Sequence, residues 1–165
     1  MSSRPVVRPL VDADLQALAA IYAHYVEHTS ITFDLEAPTP QEWARRSAGD
    51  RELPWLALED EGEVVGFAWA GRFRTKLAYR PTVETSVYLR HDCGRRGLGT
   101  LLYTELLRRL TDAGFHSAVA GITLPNDPSI ALHERLGFTR VGHFPEVGHK
   151  LGAWHDVGFW MRRLT

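Results

Sequence analysis

The chain has 165 residues, 44% of them hydrophobic, enough for one domain with a sizeable core. Nineteen Lys and Arg against twenty Asp and Glu leave it near neutral, which argues against nucleic acid or another bulk polyanion as partner. A single cysteine, Cys93, excludes a disulfide framework and a cysteine-rich metal site. With no run near the roughly 18 apolar residues of a membrane span and no apolar targeting core in MSSRPVVRPL, this points to a soluble, cytoplasmic protein.

Val6 to Leu10 can form a short first strand. Asp12 is placed to cap a helix whose apolar positions Leu15, Leu18, Ile21, Tyr22 and Tyr25 follow three-four spacing. HTSITFDLEAPTP reads as a loop, closed by Thr39-Pro40 at the start of a short helix through Trp43. WLALED and EVVGFAWAGRF read as strands joined by the tight Glu61-Gly62 turn. In the next strand, TVETSVYLR, Val83, Thr85, Val87 and Leu89 share one face, and Thr82, Glu84, Ser86 and Tyr88 the other. Leu98, Leu101, Leu102, Leu106, Leu110 and Ala113 make a helical stripe ended by Gly114. SAVAGITL reads as a buried strand and Ser129 to Leu136 as a short helix stopped by Gly137, with final strands around FTRVGHF and HDVGFWMRRL. The predicted order is β-α-α-β-β-β-α-β-α-β-β. Repeats, low-complexity tracts and linkers are absent, so residues 1–165 are expected to form a single domain.

The stretch HDCGRRGLGTLL joins a strand to a helix and carries two glycines and two arginines. Glycines there let backbone approach a ligand without a Cβ in the way. The first N–H groups of the helix and its dipole favour an anion such as phosphate, which Arg95 and Arg96 can reinforce. The plain alternative is an ordinary turn with solvated arginines. Named phosphate loops do not fit: Gly99, not Lys, precedes Thr100, and Leu101 or Leu102 stands where a dinucleotide fingerprint needs its third glycine.

RRGLGT after a strand, followed by NDPSIALHERLGF, resembles the GNAT acetyltransferase superfamily, whose Q/R-x-x-G-x-G/A loop binds the pyrophosphate of acetyl-CoA. TVETSVYL, GLGTLLYTELL, LPNDPSIALHERLGF and WHDVGFW are similar to its phosphinothricin N-acetyltransferase branch, which includes enzymes acetylating methionine sulfone and sulfoximine. The likeness runs from IYAHYVEHTSITFDLEAPTPQEW to WHDVGFW. It implies an α/β (α+β) GNAT fold, a central mixed, mostly antiparallel sheet flanked by helices. It also implies acetyl-CoA as acyl donor, no metal, and a homodimer with the pocket near the subunit interface. Position by position, Val87, Tyr88 and Leu89 would pair through their backbone with the pantetheine amides. Arg95, Arg96, Gly97, Leu98, Gly99 and Thr100 would wrap the pyrophosphate, and Asn126 would hydrogen-bond the cofactor arm. Asn126 also reads as a turn-forming Asn-Asp-Pro, and both readings can hold.

Acetylating an amine requires that its ammonium first lose a proton. Glu84 is the only acid in its strand, shares a face with Thr82 and Ser86, and lies where the resembling branch places its proposed base. The alternative is a strand-edge carboxylate facing water. His133 stands where many GNAT enzymes carry a tyrosine that protonates the departing thiolate. His133, Tyr103 or unassisted departure all remain open, and a helical histidine alone is more often structural. HERLG starts like a zincin motif but has Gly137 in place of the second histidine, so a metal site is unsupported.

Arg72, Arg74, Lys76 and Arg80 fall within nine residues leading into the Glu84 strand. Guanidinium groups suit a carboxylate, phosphinate or sulfone, and the resemblance makes this loop a source of substrate contacts. Arg74, Arg80 and Thr82 are therefore the expected substrate residues, with Lys76 read as solvated, and Phe33 and Trp154 can wall the pocket. The leading function is a small-molecule amino-acid N-acetyltransferase. Alternatives are a protein N-terminal acetyltransferase of the ribosomal-protein type and a non-catalytic acyl-CoA-binding module.

Overall fold

A computed structural model describes residues 4–94 and 96–165. Among the described residues seven strands form one sheet: β1 (Val6–Pro9), β2 (Trp55–Asp60), β3 (Glu63–Arg72), β4 (Thr82–Leu89), β5 (Ser117–Thr123), β6 (Thr139–Lys150) and β7 (Ala153–Arg163). Four α-helices flank it: α1 (Leu15–His28), α2 (Pro40–Ala48), α3 (Leu98–Asp112) and α4 (Asp127–Arg135). The order along the chain is the one the sequence predicts, and the spatial order is β1-β2-β3-β4-β5-β7-β6. Every neighbouring pair is antiparallel except β4 and β5, which makes the sheet mixed and mostly antiparallel.

The alternation in β4 divides two cores. Val83 joins Leu102, Leu106 and Leu110 of α3, Ala118 and Ile122 of β5, and Trp160 of β7 on one face. On the other, Tyr88 packs against a cluster of Leu18, Ile21 and Tyr22 of α1, Trp43 of α2 and Phe67 of β3. Each fully buried Leu on these faces contributes about 1.5–3 kcal/mol, so both helix layers are firmly held to the sheet.

Local signals held with three adjustments. Thr39 caps α2 by accepting from the Glu42 N–H, and the Glu42 carboxylate accepts in return from the Thr39 N–H. Asp12 makes no cap; Asp12–Asp14 form a 3₁₀ turn before α1. There Asp14 accepts from the Val11 N–H and from the Arg8 guanidinium, which draws the acid inward. In α3 the buried stripe leans toward Tyr103 and Leu107, leaving Leu101 43% exposed and Ala113 outside the helix. Helix α4 starts two residues earlier than expected, with Asn126 as its N-cap accepting from the Ser129 N–H.

The parallel pairing is short. It covers Thr82 with Ser117, Val83 with Ala118 and Glu84 with Val119. Beyond that, Thr85 to Leu89 stay paired to β3 and Ala120 to Thr123 to β7, so the two inner edges separate. The Thr85 hydroxyl lies 3.4 Å from the Val119 carbonyl and 2.6 Å from the Tyr103 hydroxyl. A side chain therefore stands at the first missing rung, and the strands part there.

Candidate active site

A groove of about 570 Å³ opens beside the far end of β4, lined by β4 residues 87–89, residues 97–100 and, from the α4 side, Asn126, Ser129 and Leu132. Backbone groups along a strand alternate in direction. The Arg90 N–H donates to the Val65 carbonyl and the Tyr88 carbonyl lies against Gly66, so these positions serve β3. Val87 and Leu89 consequently direct their backbone groups toward the groove, and the Leu89 carbonyl accepts from the Tyr25 hydroxyl. Tyr88, expected to pair with a ligand through its backbone, is among the lining residues, while its ring packs against Tyr22, Tyr25 and Phe67.

Gly97 sits at the N-cap of α3 with φ +74°, a left-handed conformation that favours glycine. Leu101 is the first residue to bond back into the turn, donating to the Gly97 carbonyl. The N–H groups of Leu98, Gly99 and Thr100 therefore lack an intrahelical acceptor, and all three residues line the groove. A Cβ on Gly99 would meet Leu132 at 3.5 Å and Leu89 at 3.6 Å, so this wall is already close-packed.

The arginines contribute less here than their sequence position suggests. Three residues before Gly97, the Q/R place of the pattern is Gly94. Arg95 lies outside the described residues. Arg96 pairs with Asp60 at 2.7 Å, and Asp60 is only 5% exposed at its side chain. Its guanidinium thus fastens the loop to the end of β2. The groove gains a different cation, Arg135, and a histidine, His91, neither of which the motif reading found.

Glu84 occupies the last paired rung before the strands part, and it is not among the residues lining the groove, which on β4 begin at Val87. Its carboxylate makes no hydrogen bond to another described residue. Burial raises its pKa above the ordinary carboxylate range, and the Arg74 charge partly opposes this. A half-buried carboxylate with a raised pKa is a better proton acceptor than an exposed one. Arg74 is thus within electrostatic reach of Glu84, its guanidinium 4.5 Å from the Phe73 ring centroid. Arg80 is engaged elsewhere, donating to Glu52 at 3.1 Å alongside Arg72. Thr82 opens β4, two residues before Glu84 on the same face.

His133 turns into the core. It is buried, with Nδ1 2.7 Å from the Ser129 carbonyl and its ring 5.0 Å from that of Tyr103. Burial lowers its pKa, and neither it nor Tyr103 lines the groove. The placement as thiolate acid that its helix position suggested does not follow from this geometry. Phe33 lies across Gly148, where a Cβ would clash at 2.2 Å, and so docks the 29–39 loop onto β6. The Lys150 ammonium donates to the Thr32 carbonyl, and Tyr22 hydrogen-bonds Thr32 and Asp34, holding the same loop. Trp154 is 63% exposed beside His149 rather than enclosed. Among the described residues no group of three or more His, Cys, Asp or Glu is arranged to hold a metal.

Residues 18–138 match the model of the Acetyltransferase (GNAT) family. Over 162 residues the chain is 49% identical to a phosphinothricin N-acetyltransferase of Streptomyces viridochromogenes, covering 96% of this chain and 88% of that one. It is 39% identical over 158 residues to an L-methionine sulfoximine/L-methionine sulfone acetyltransferase of Pseudomonas aeruginosa, covering 92% and 90%. Among solved structures, a phosphinothricin acetyltransferase from Sinorhizobium meliloti in complex with acetyl-CoA superposes with a TM-score of 0.93 at 34% identity, covering 98% of this chain and 89% of that one. Likeness of this extent in both sequence and backbone makes the chain a member of the GNAT acetyltransferase family.

Proposed function

We propose that this protein is a single-domain, acetyl-CoA-dependent N-acetyltransferase acting on the α-amine of a small amino-acid analogue of the phosphinothricin or methionine sulfoximine/sulfone kind. The observation that carries the reading is the 49% identity to a phosphinothricin N-acetyltransferase across 96% of the chain. The groove beside the far end of β4 has matching chemistry. Backbone of Val87 and Leu89 suits the amides of a pantetheine arm, and the N-terminus of α3 with Gly97 suits its phosphates. Asn126, whose carbonyl oxygen caps α4, keeps its NH₂ as a donor beside them.

Bound acetyl-CoA supplies the activated acetyl group. Glu84 takes the proton from the substrate ammonium, directly or through water, so that the nitrogen lone pair becomes available. Arg74 and Thr82 hold the acidic end of the substrate near that carboxylate. The exposed Val141, Phe144, Val147, Leu151 and Trp154 of β6, β7 and their turn support a homodimer through this end of the sheet. A cytoplasmic location belongs to the same proposal; among the described residues no helix is long and apolar enough to cross a membrane.

Thiol release from acetyl-CoA tests the reading with phosphinothricin, methionine sulfoximine and a peptide bearing a free N-terminus. The expected result is turnover with one or both amino-acid analogues and little with the peptide. Turnover with the peptide alone would replace the acceptor, and no release with any amine would overturn the reading.

A further inference from the structure

The groove lining includes a histidine, His91, that acyl transfer as described does not use, and its ring is backed by His24, which lies outside the groove in a neighbouring cavity that His91 also lines. His91, two residues beyond β4, lines the groove beside Leu89, Gly94 and Gly97. Its ring lies flat on that of His24 in α1, with centroids 4.0 Å apart and planes 13° from parallel. His28, one helical turn on, has its ring 5.1 Å from that of His24. Stacking engages the faces of the two rings and leaves their nitrogens at the edges. None of those nitrogens hydrogen-bonds another described residue.

The surrounding charges are largely committed. On its own loop, Arg90 pairs with Asp92 at 2.6 Å and with Glu63 of β3 at 2.9 Å. On α1, Glu27 lies 3.8 Å from the His28 ring nitrogen. Across the groove, Arg135 has no described partner and adds positive potential. Tyr25 is tied to the Leu89 carbonyl, and Cys93 is buried beneath the loop. An anion entering the groove therefore meets the uncommitted imidazole of His91, with His24 stacked behind it. Partial desolvation, His91 and His28 together hold the His24 pKa below the ordinary imidazole range. Two charged rings at this separation repel, so the stack accommodates one proton far better than two.

We propose that His91 is a phosphate-binding residue of the acetyl-CoA site, and that the His24–His91 stack takes up a proton when the phosphates of acetyl-CoA bind. The proposal rests on the reading of the groove as that site. An anion beside His91 stabilises the imidazolium. By reciprocity, protonation strengthens binding of the anion, and affinity for acetyl-CoA rises as pH falls toward 6.

Calorimetric titration of acetyl-CoA into the full chain, in two buffers of different ionisation heat, measures the protons taken up. The ligand carries a phosphate monoester that itself titrates near pH 6, so the difference between wild type and His91→Gln is the quantity read. At pH 6.5 His91→Gln is expected to bind about 3- to 10-fold more weakly and to take up fewer protons, with the two affinities converging at pH 8.5. His24→Phe keeps a stacking ring and is expected to retain the uptake. Equal proton uptake in wild type and His91→Gln, an affinity gap unchanged at pH 8.5, or uptake lost in His24→Phe but not in His91→Gln would each overturn the proposal. Wild-type protein that binds no acetyl-CoA would instead overturn the reading of the groove, and the proposal with it.

Discussion

Glu84 faces Val119 across the last rung of the parallel β4–β5 ladder, so the acid stands where the two strands begin to part. One step on, the Thr85 hydroxyl reaches the Val119 carbonyl and the pairing between β4 and β5 ends. The same strand thus carries a half-buried carboxylate at Glu84 and, from Val87 onward, one wall of the groove, which Glu84 itself does not line.

Replacing Glu84 with Gln should leave the fold at least as stable at neutral pH. The native carboxyl has a raised pKa, so it binds a proton more tightly than the unfolded chain does. Its contribution to stability is full below the unfolded carboxylate value and is lost as pH rises through the folded one. Urea midpoints should therefore be higher for Glu84→Gln than for wild type at pH 7–8, the difference shrinking toward pH 4. A clearly lower midpoint for the variant at pH 7 would show that the ionised carboxylate is stabilised rather than strained.

Tyr103→Phe removes the buried hydroxyl partner of Thr85. It should destabilise the fold by about 1–2 kcal/mol while leaving the pH profile of kcat unchanged, since Tyr103 does not reach the groove. His133 is likewise a core residue whose pKa is lowered by burial. The unfolded chain takes up that proton first, so this contribution to stability is lost as pH falls below about 6.5. Loss of kcat at high pH in wild type that disappears in His133→Gln or Tyr103→Phe would restore the acid role.

The two loop arginines should behave differently. Arg74→Ala should raise KM for the amino-acid substrate by roughly 10- to 100-fold if it clamps an acidic group, with acetyl-CoA binding unaffected. Arg80→Ala breaks an exposed pair with Glu52 and should leave stability and KM nearly unchanged. Equal KM effects at the two positions would place Arg80 in the site despite its pairing.

In the glycine loop, Gly97→Val forces a branched residue into a left-handed conformation, a strain of about 1–2 kcal/mol, and should raise KM for acetyl-CoA. Arg96→Ala leaves the buried Asp60 carboxylate unpaired and should lower stability by about 1–3 kcal/mol. Its effect on KM should be rescued by Asp60→Asn in the same chain, because the arginine acts through that carboxylate. A direct phosphate contact would give no rescue.

The element order and the two faces of β4 were legible because strand alternation and helical spacing are local. Thus Val83 and Glu84 were assigned to opposite faces from the sequence alone. What escaped depends on partners far away in the chain. Nothing near Arg96 marks Asp60, 36 residues earlier, as its partner, and nothing near Arg80 marks Glu52. Leu101 fitted a simple leucine count but lies off the stripe that Tyr103 and Leu107 complete. His133 occupied a motif position, yet its direction is set by packing against Tyr103 and Phe138. Arg135 and His91 line the groove without belonging to any spacing pattern.

The most direct test of the account is kcat for Glu84→Gln, measured with acetyl-CoA and an amino-acid analogue that wild type acetylates. If Glu84 accepts the ammonium proton, the variant binds both substrates normally and loses kcat by roughly 10²–10⁴-fold, with the rise of wild-type kcat/KM with pH altered in the variant. A Glu84→Gln enzyme that keeps most of its kcat at neutral pH, with the wild-type pH profile, would contradict the assignment of Glu84 as the base.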